Sequence, residues 1–171
     1  MTGEPPQPDQ TYLQLRQRIL TLTPGDIGLE LDPASSQVWG IMMETGYEVG
    51  SATLVYLSDG TIGLYFSTGG GMLGTTENSL LAEAIKALVK ETESHIQYTS
   101  PTDAIPLPAP GQVRFTLLTF KGTLTVAANE SSITHTDHPL NPLYQAGHRV
   151  MNELHSLAQK GKNVHNWRSR Q

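Results

Sequence analysis

Two dipeptides constrain this chain more than any other feature. Asp59-Gly60 stands between residues 52–57 and 61–66, and Lys121-Gly122 between residues 113–120 and 123–127. The flanking runs are rich in β-branched and aromatic residues. A two-residue connection whose central positions favour φ > 0 closes an antiparallel hairpin. A further strand at 38–44 precedes the first pair, with residues 45–50 read as a loose connection, so a three-stranded meander is expected there. Strict alternation puts Trp39, Ile41 and Met43 on one face and Val38 and Met42 on the other. In the next strand Leu54 and Tyr56 oppose Val55 and Leu57. Neither face is polar enough to stand in water, so helices or another subunit must cover both.

Three helices are expected around these strands. Over residues 11–22, Tyr12, Leu15, Ile19 and Leu22 fall on one face, with Leu13 and Leu20 beside them. Thr23-Pro24-Gly25-Asp26 has a threonine cap, proline in the first helical position and an acid at the third, which predicts a short turn ending near Gly28. From Thr75 to about Gln97, Leu81, Ile85, Leu88, Thr92 and Ile96 form an apolar stripe, with Glu83, Lys86, Lys90, Glu91 and Glu93 facing water. Asn141 caps a last helix with Pro142 in its first position, and Leu143, Gly147, Val150, Leu154 and Leu157 make its inner stripe. Pro101, Pro106, Pro108 and Pro110 make residues 100–111 an extended crossing loop.

The expected order is α-β-β-β-α-β-β-α, an α+β domain over residues 11–158 with one antiparallel sheet of about five strands. Residues 1–10 read as a disordered tail and 159–171 as a fraying basic tail. This element order is similar to that of profilin and roadblock-type folds, many of which are scaffolds or dimeric regulatory modules. No motif carries the similarity, so it assigns no functional residue.

Composition narrows the function classes. Charged residues make up 16% of the 171 and the net charge is −5, against about 25% charged in ordinary soluble domains. That balance argues against binding nucleic acid or an anionic membrane by the whole surface. With no cysteine, disulfides, thiolate metal sites and cysteine nucleophiles are excluded. A cytoplasmic location is expected, since no secretory signal or membrane-length apolar run is present.

Two stretches could carry chemistry. Gly69-Gly70-Gly71-Met72-Leu73-Gly74 matches a dinucleotide glycine pattern and reads as strand, turn, helix. Its preceding strand is already hairpin-paired, and Glu91 and Glu93, where a ribose-binding acid would fall, lie inside the helix. As a phosphate loop it has Thr75 where the lysine should be. What remains is an anion or small-ligand site built from Ser67, Thr68, Gly69, Gly70, Gly71, Gly74, Thr75 and Thr76, using N–H groups at a helix start, or simply a corner. The second stretch is His135-Thr136-Asp137-His138, where His135, Asp137 and His138 could hold a metal, with His148 or Glu153 as a further ligand. His148 and His155 otherwise read as half-buried boundary residues. No serine sits in a nucleophile elbow, and no cofactor or catalytic residue is assigned. The aromatics Trp39, Tyr56, Tyr65, Phe66, Phe115 and Phe120 lack interleaved cations, so core packing explains them better than base stacking.

The leading expectation is therefore a non-enzymatic interaction, scaffold or regulatory module. It would form a homodimer or bind a protein partner through a sheet face, a sheet edge or its outer helices. The alternative is ligand binding at the glycine-rich loop, and the third is a metal-assisted hydrolase using His135, Asp137 and His138.

Overall fold

A computed structural model describes residue 4, residues 6–32 and 37–161, and the backbone of 164–167. All the strands belong to one antiparallel sheet. They are β1 (Val38–Tyr47), β2 (Gly50–Leu57), β3 (Ile62–Phe66), β4 (Gly71–Gly74), β5 (Ser100–Pro101), β6 (Gln112–Thr119), β7 (Gly122–Asn129) and β8 (Val164–Trp167). Their order across the sheet is β5-β7-β6-β1-β2-β3-β4-β8. Helices α1 (Gln10–Thr21), α2 (Ser79–Ser94), α3 (Glu130–Ile133) and α4 (Asn141–Gln159) flank it. The α+β class and the single antiparallel sheet follow the sequence reading, whereas among the described residues the sheet has eight strands rather than about five.

Both hairpins form, with Tyr56 opposite Ile62 and Thr119 opposite Gly122, the second turning on Phe120-Lys121, one residue earlier than Lys121-Gly122, because Gly122 already pairs in β7. The turn at Pro24–Ile27 has its capping box and ends on Gly28 at φ 75°. Four expectations are corrected. The connection over 45–50 is not loose: β1 runs on to Tyr47, which pairs with Gly50 across a two-residue turn. The glycine run leads into strand β4, and α2 begins only at Ser79. Asn141 lies just inside α4, where its amide donates to Ile133 O at 2.9 Å. Residues 164–167, expected to fray, pair with β4 as β8.

Each sheet face has its own core. Ile41, Met43, Leu54, Leu64, Phe115 and Leu117 meet Leu81, Ile85 and Leu88 of α2 and Leu143, Val150 and Leu154 of α4. On the other face Met42, Val55, Leu57, Tyr65 and Leu118 meet Tyr12 and Ile19 of α1. Trp39 joins this second core, whereas Val38 packs with Ile41 on the first. A register shift between Val38 and Gly40 reverses the expected alternation there, since an extra residue turns side chains over. The cover that both faces need comes from the chain's own helices, with no second subunit required.

The proline loop closes over the α1 side. Gly111 N donates to Gly46 O at 2.9 Å, and a Cβ on Gly46 would run into the carbonyl oxygens of Ala109 and Pro108. Those oxygens belong to backbone, which cannot swing aside as a side-chain tip can. Gly46→Ala is therefore expected to destabilise the protein by about 1–3 kcal/mol, the usual range for overpacking. Urea unfolding is the check. A change within about 0.5 kcal/mol, as at an ordinary surface site, would mean that the loop is not seated on β1.

Candidate functional site

The predicted ligand residues do not form one site. Gly71, Met72, Leu73 and Gly74 pair in register with Tyr65, Leu64, Gly63 and Ile62. Ser67, Thr68, Gly69 and Gly70 form the tight turn of this β3–β4 hairpin, with Gly69 and Gly70 at φ 104° and 84°. That left-handed backbone is what the two glycines supply. Gly69 N donates to Phe66 O, and Phe66 N to Gly70 O. Thr75 and Thr76 lie at the far end of β4, about 13 Å away for four residues at strand spacing, in an open hollow shared with the acids Asp59 and Glu77. The start of α2 is filled by Asn78, whose Oδ1 accepts from Leu80 N and Leu81 N at 3.0 and 3.1 Å. The ladder thus takes up the glycine amides, and the helix start has its own cap. The strand–turn–helix premise of the anion site is overturned.

His135, Asp137 and His138 line a shallow hollow with Ser132 and Pro139. The His138 ring accepts from Leu140 N at 3.1 Å, an arrangement that shapes the entry to α4. Among the described residues no three His, Asp or Glu side chains gather as a metal ion would require, so the predicted ligand set is not assembled.

What the structure does assemble is a polar seam beneath α1. The Arg16 guanidinium grips Glu44 with two bonds, 2.7 Å from Nε and 2.9 Å from Nη2. Glu44 is 0% exposed. The same guanidinium donates to Ile105 O at 2.9 Å, tying in the proline loop. Thr53 Oγ1 donates to Glu44 at 3.0 Å. Its proton being spent there, the 2.7 Å bond between Tyr12 and Thr53 is donated by the phenol. The 3.0 Å contact between Ser51 and Tyr12 then has Ser51 as donor. Donation thus runs one way, from Ser51 through Tyr12 and Thr53 to Glu44. Burial lowers the affinity of Arg16 for its proton, but the bonds and charge of Glu44 outweigh it and the net shift is upward. Burial raises the Tyr12 phenol.

The outer end of the seam opens into a cleft of about 320 Å³. Ser51 and Ser67 lie in its floor, and Pro6, Pro8, Leu107, Pro108 and Pro110 are among its walls. Of the predicted ligand residues only Ser67 lines it. The seam did leave a trace in the sequence: Arg16 sits four residues after Tyr12 and three before Ile19, on the buried stripe of α1, and Glu44 ends an apolar run.

On the opposite face at the same end, Tyr144 donates to Glu130 at 2.9 Å and its ring lies 4.3 Å from that of His148. Burial first, then the bond to Glu130, raises the Tyr144 phenol well above its ordinary value. Burial pushes the His148 imidazole down against the pull of Glu130, and its buried Nε2 has no hydrogen-bond partner among the described residues.

Two predictions follow from this chemistry. Glu44→Gln leaves Arg16 buried without its counter-charge and should cost about 3–5 kcal/mol in urea unfolding. A loss below about 1 kcal/mol, the level of a solvated surface pair, would show the pair to be dispensable. For His148, the folded state holds fewer protons than the unfolded chain, whose histidine titrates near pH 6.5. Stability is thus unaffected well above that pH and falls as pH drops through it. His148→Gln should flatten this acid limb. Identical pH profiles for the two proteins would remove His148 as its source.

No family model matches this chain, and neither the curated proteins nor the solved structures searched contain a match.

Proposed function

We propose that this chain is a non-enzymatic interaction module that pairs with a second copy of itself through the end of the sandwich bearing the β1–β2 turn. The observation that carries this reading is the pair of apolar side chains at that turn. Val49 is 66% exposed and Tyr47 41%, and Tyr47 also lines the proline-walled cleft. Single exposed apolar residues are ordinary, but two flanking an apolar recess form a contact patch. The covered sheet faces support placing the contact here and not face to face.

The buried end of the seam supports a non-enzymatic reading, because the charge of Glu44 is answered there. Both oxygens of Glu44 are engaged by Arg16, and one of them also accepts from Thr53, so this carboxylate is taken up as a structural group. The layering, α1 on one face and α2, α3 and α4 on the other, shares with profilin and roadblock-type folds only a single antiparallel sheet between helices, and the analogy to their scaffold roles rests on that. A cysteine-free chain suits the reducing cytoplasm, where we place it. Among the described residues no helix is long and apolar enough to cross a membrane.

Sedimentation velocity tests the reading directly. The wild-type protein is expected to sediment as a dimer at tens of micromolar, and Val49→Asp as a monomer with an unchanged melting temperature. A wild-type monomer throughout that range would overturn it.

A further inference from the structure

We infer that the cleft ending the polar seam is a docking site for an extended, uncharged peptide segment, read through one backbone amide by Ser67 and Ser51. The cleft adjoins the patch assigned to self-association, Tyr47 belonging to both, but the inference rests on the two serines and not on that contact.

The argument starts from proton accounting. Ser67 is 4% exposed, and its Oγ accepts from Ser51 N at 2.7 Å. Its own hydroxyl proton meets no acceptor among the described residues. Ser51 Oγ, its proton directed to Tyr12, keeps a lone pair without a donor. Both serines line the cleft. A buried hydroxyl proton with no acceptor costs free energy, so the floor is complementary to a group that accepts at Ser67 and donates at Ser51. A secondary amide does both with neighbouring atoms.

Shape and charge narrow the ligand further. The volume of about 320 Å³ lies at the low end of ligand sites, enough for a short stretch of chain. Its walls of Pro6, Pro8, Leu107 and Pro108 favour small apolar side chains, and Glu48 lies among its lining residues, where it disfavours a carboxylate. A polypeptide in mid-chain offers uncharged amides between apolar groups. The chain's own segment before α1 already lies extended along one side of the cleft, Pro6, Gln7 and Pro8 lining it and Asp9 N donating to the backbone carbonyl of Ser67 at 2.7 Å. An incoming segment would add a second extended strand of backbone beside it.

Amide chemical shifts in the full-length protein provide the test. The probe acetyl-Pro-Ala-Pro-Ala-amide is expected to move the Gly50, Ser51 and Ser67 resonances saturably. Acetylproline methylamide should bind at least tenfold more weakly, and acetylproline, with its free carboxylate, more weakly still. Ser67→Ala should lose about tenfold in tetrapeptide affinity. If that variant fails to fold, the order of the three probes on the wild-type protein decides the matter. No saturable shift at these residues, equal affinity for the tetrapeptide and the single capped residue, or tight binding of the carboxylate would each overturn the inference. The same titration on Val49→Asp separates this inference from the dimer: binding retained by the variant shows the cleft acting without the self-contact, and binding lost in the variant alone would overturn it.

Discussion

Among the described residues, the interaction that most constrains how α1 sits on the sheet is the buried Arg16–Glu44 ion pair. Taking Arg16 and Glu44 out of water costs several kcal/mol per ion, and attraction between them offsets that only when geometry is good and the remaining sites are filled. Both conditions hold. The guanidinium meets the carboxylate with two bonds, Thr53 supplies a third, and the proline loop accepts at Ile105 and Pro106. One side chain thereby joins α1, the middle of the sheet and the crossing loop. Apolar contacts tolerate small slips, but this pair does not. Sliding α1 by one residue would strand a charge at zero exposure, and the penalty would exceed any gain from repacking leucines.

The opposite layer works on a different principle. Between the sheet and α2 and α4 the interior is almost wholly aliphatic, with Phe115 and the methionines filling the gaps. Such packing depends on volume and periodicity, and a related volume would serve nearly as well. Polar chemistry returns only where β1 runs out. There Tyr47 reaches toward Glu130 and Tyr144 on one face, and lines the cleft over Ser51 on the other. Thr45, at 1% exposure, hydrogen-bonds with Tyr47 at this end. The chemistry gathers at this end because the central strand turns polar in its second half, and every neighbour registered against that half must answer its polar groups.

This division explains which features the sequence reveals. Helical stripes and two-residue hairpins are local, encoded within a dozen residues, and they appear in the structure close to where periodicity puts them. Strand β4 is encoded differently. Gly71-Met72-Leu73-Gly74 has little strand propensity and is strand because β3 offers an open edge beside it, so a local reading runs it straight into the helix. β5 and β8 are likewise assembled by their neighbours. The face of Trp39 depends on a register shift, which no alternation pattern contains. The seam was legible only as two misplaced charges. Arg16 on an apolar stripe and Glu44 in an apolar strand are 28 residues apart, and nothing local says that they meet.

The same distance between pattern and geometry bears on chemistry. A glycine-rich motif suggests a ligand because free amides converge on one point, and its force lies in that convergence. Here the amides of Gly71 to Gly74 serve the ladder, while Gly69 and Gly70 only turn the chain. The histidine run lacks that convergence too: the His138 ring accepts from Leu140 N and shapes the entry to α4, and no metal-holding group gathers among the described residues. What a site requires is a polar group held in place and left incomplete. The hydroxyls of the seam donate in sequence toward Glu44, so among the described residues the chain begins at Ser51 with an unused lone pair, and Ser67 beside it holds an unused proton. Saturation at the buried end fixes the orientation of each hydroxyl up to the cleft, and that directionality gives the cleft floor its complementarity to an amide.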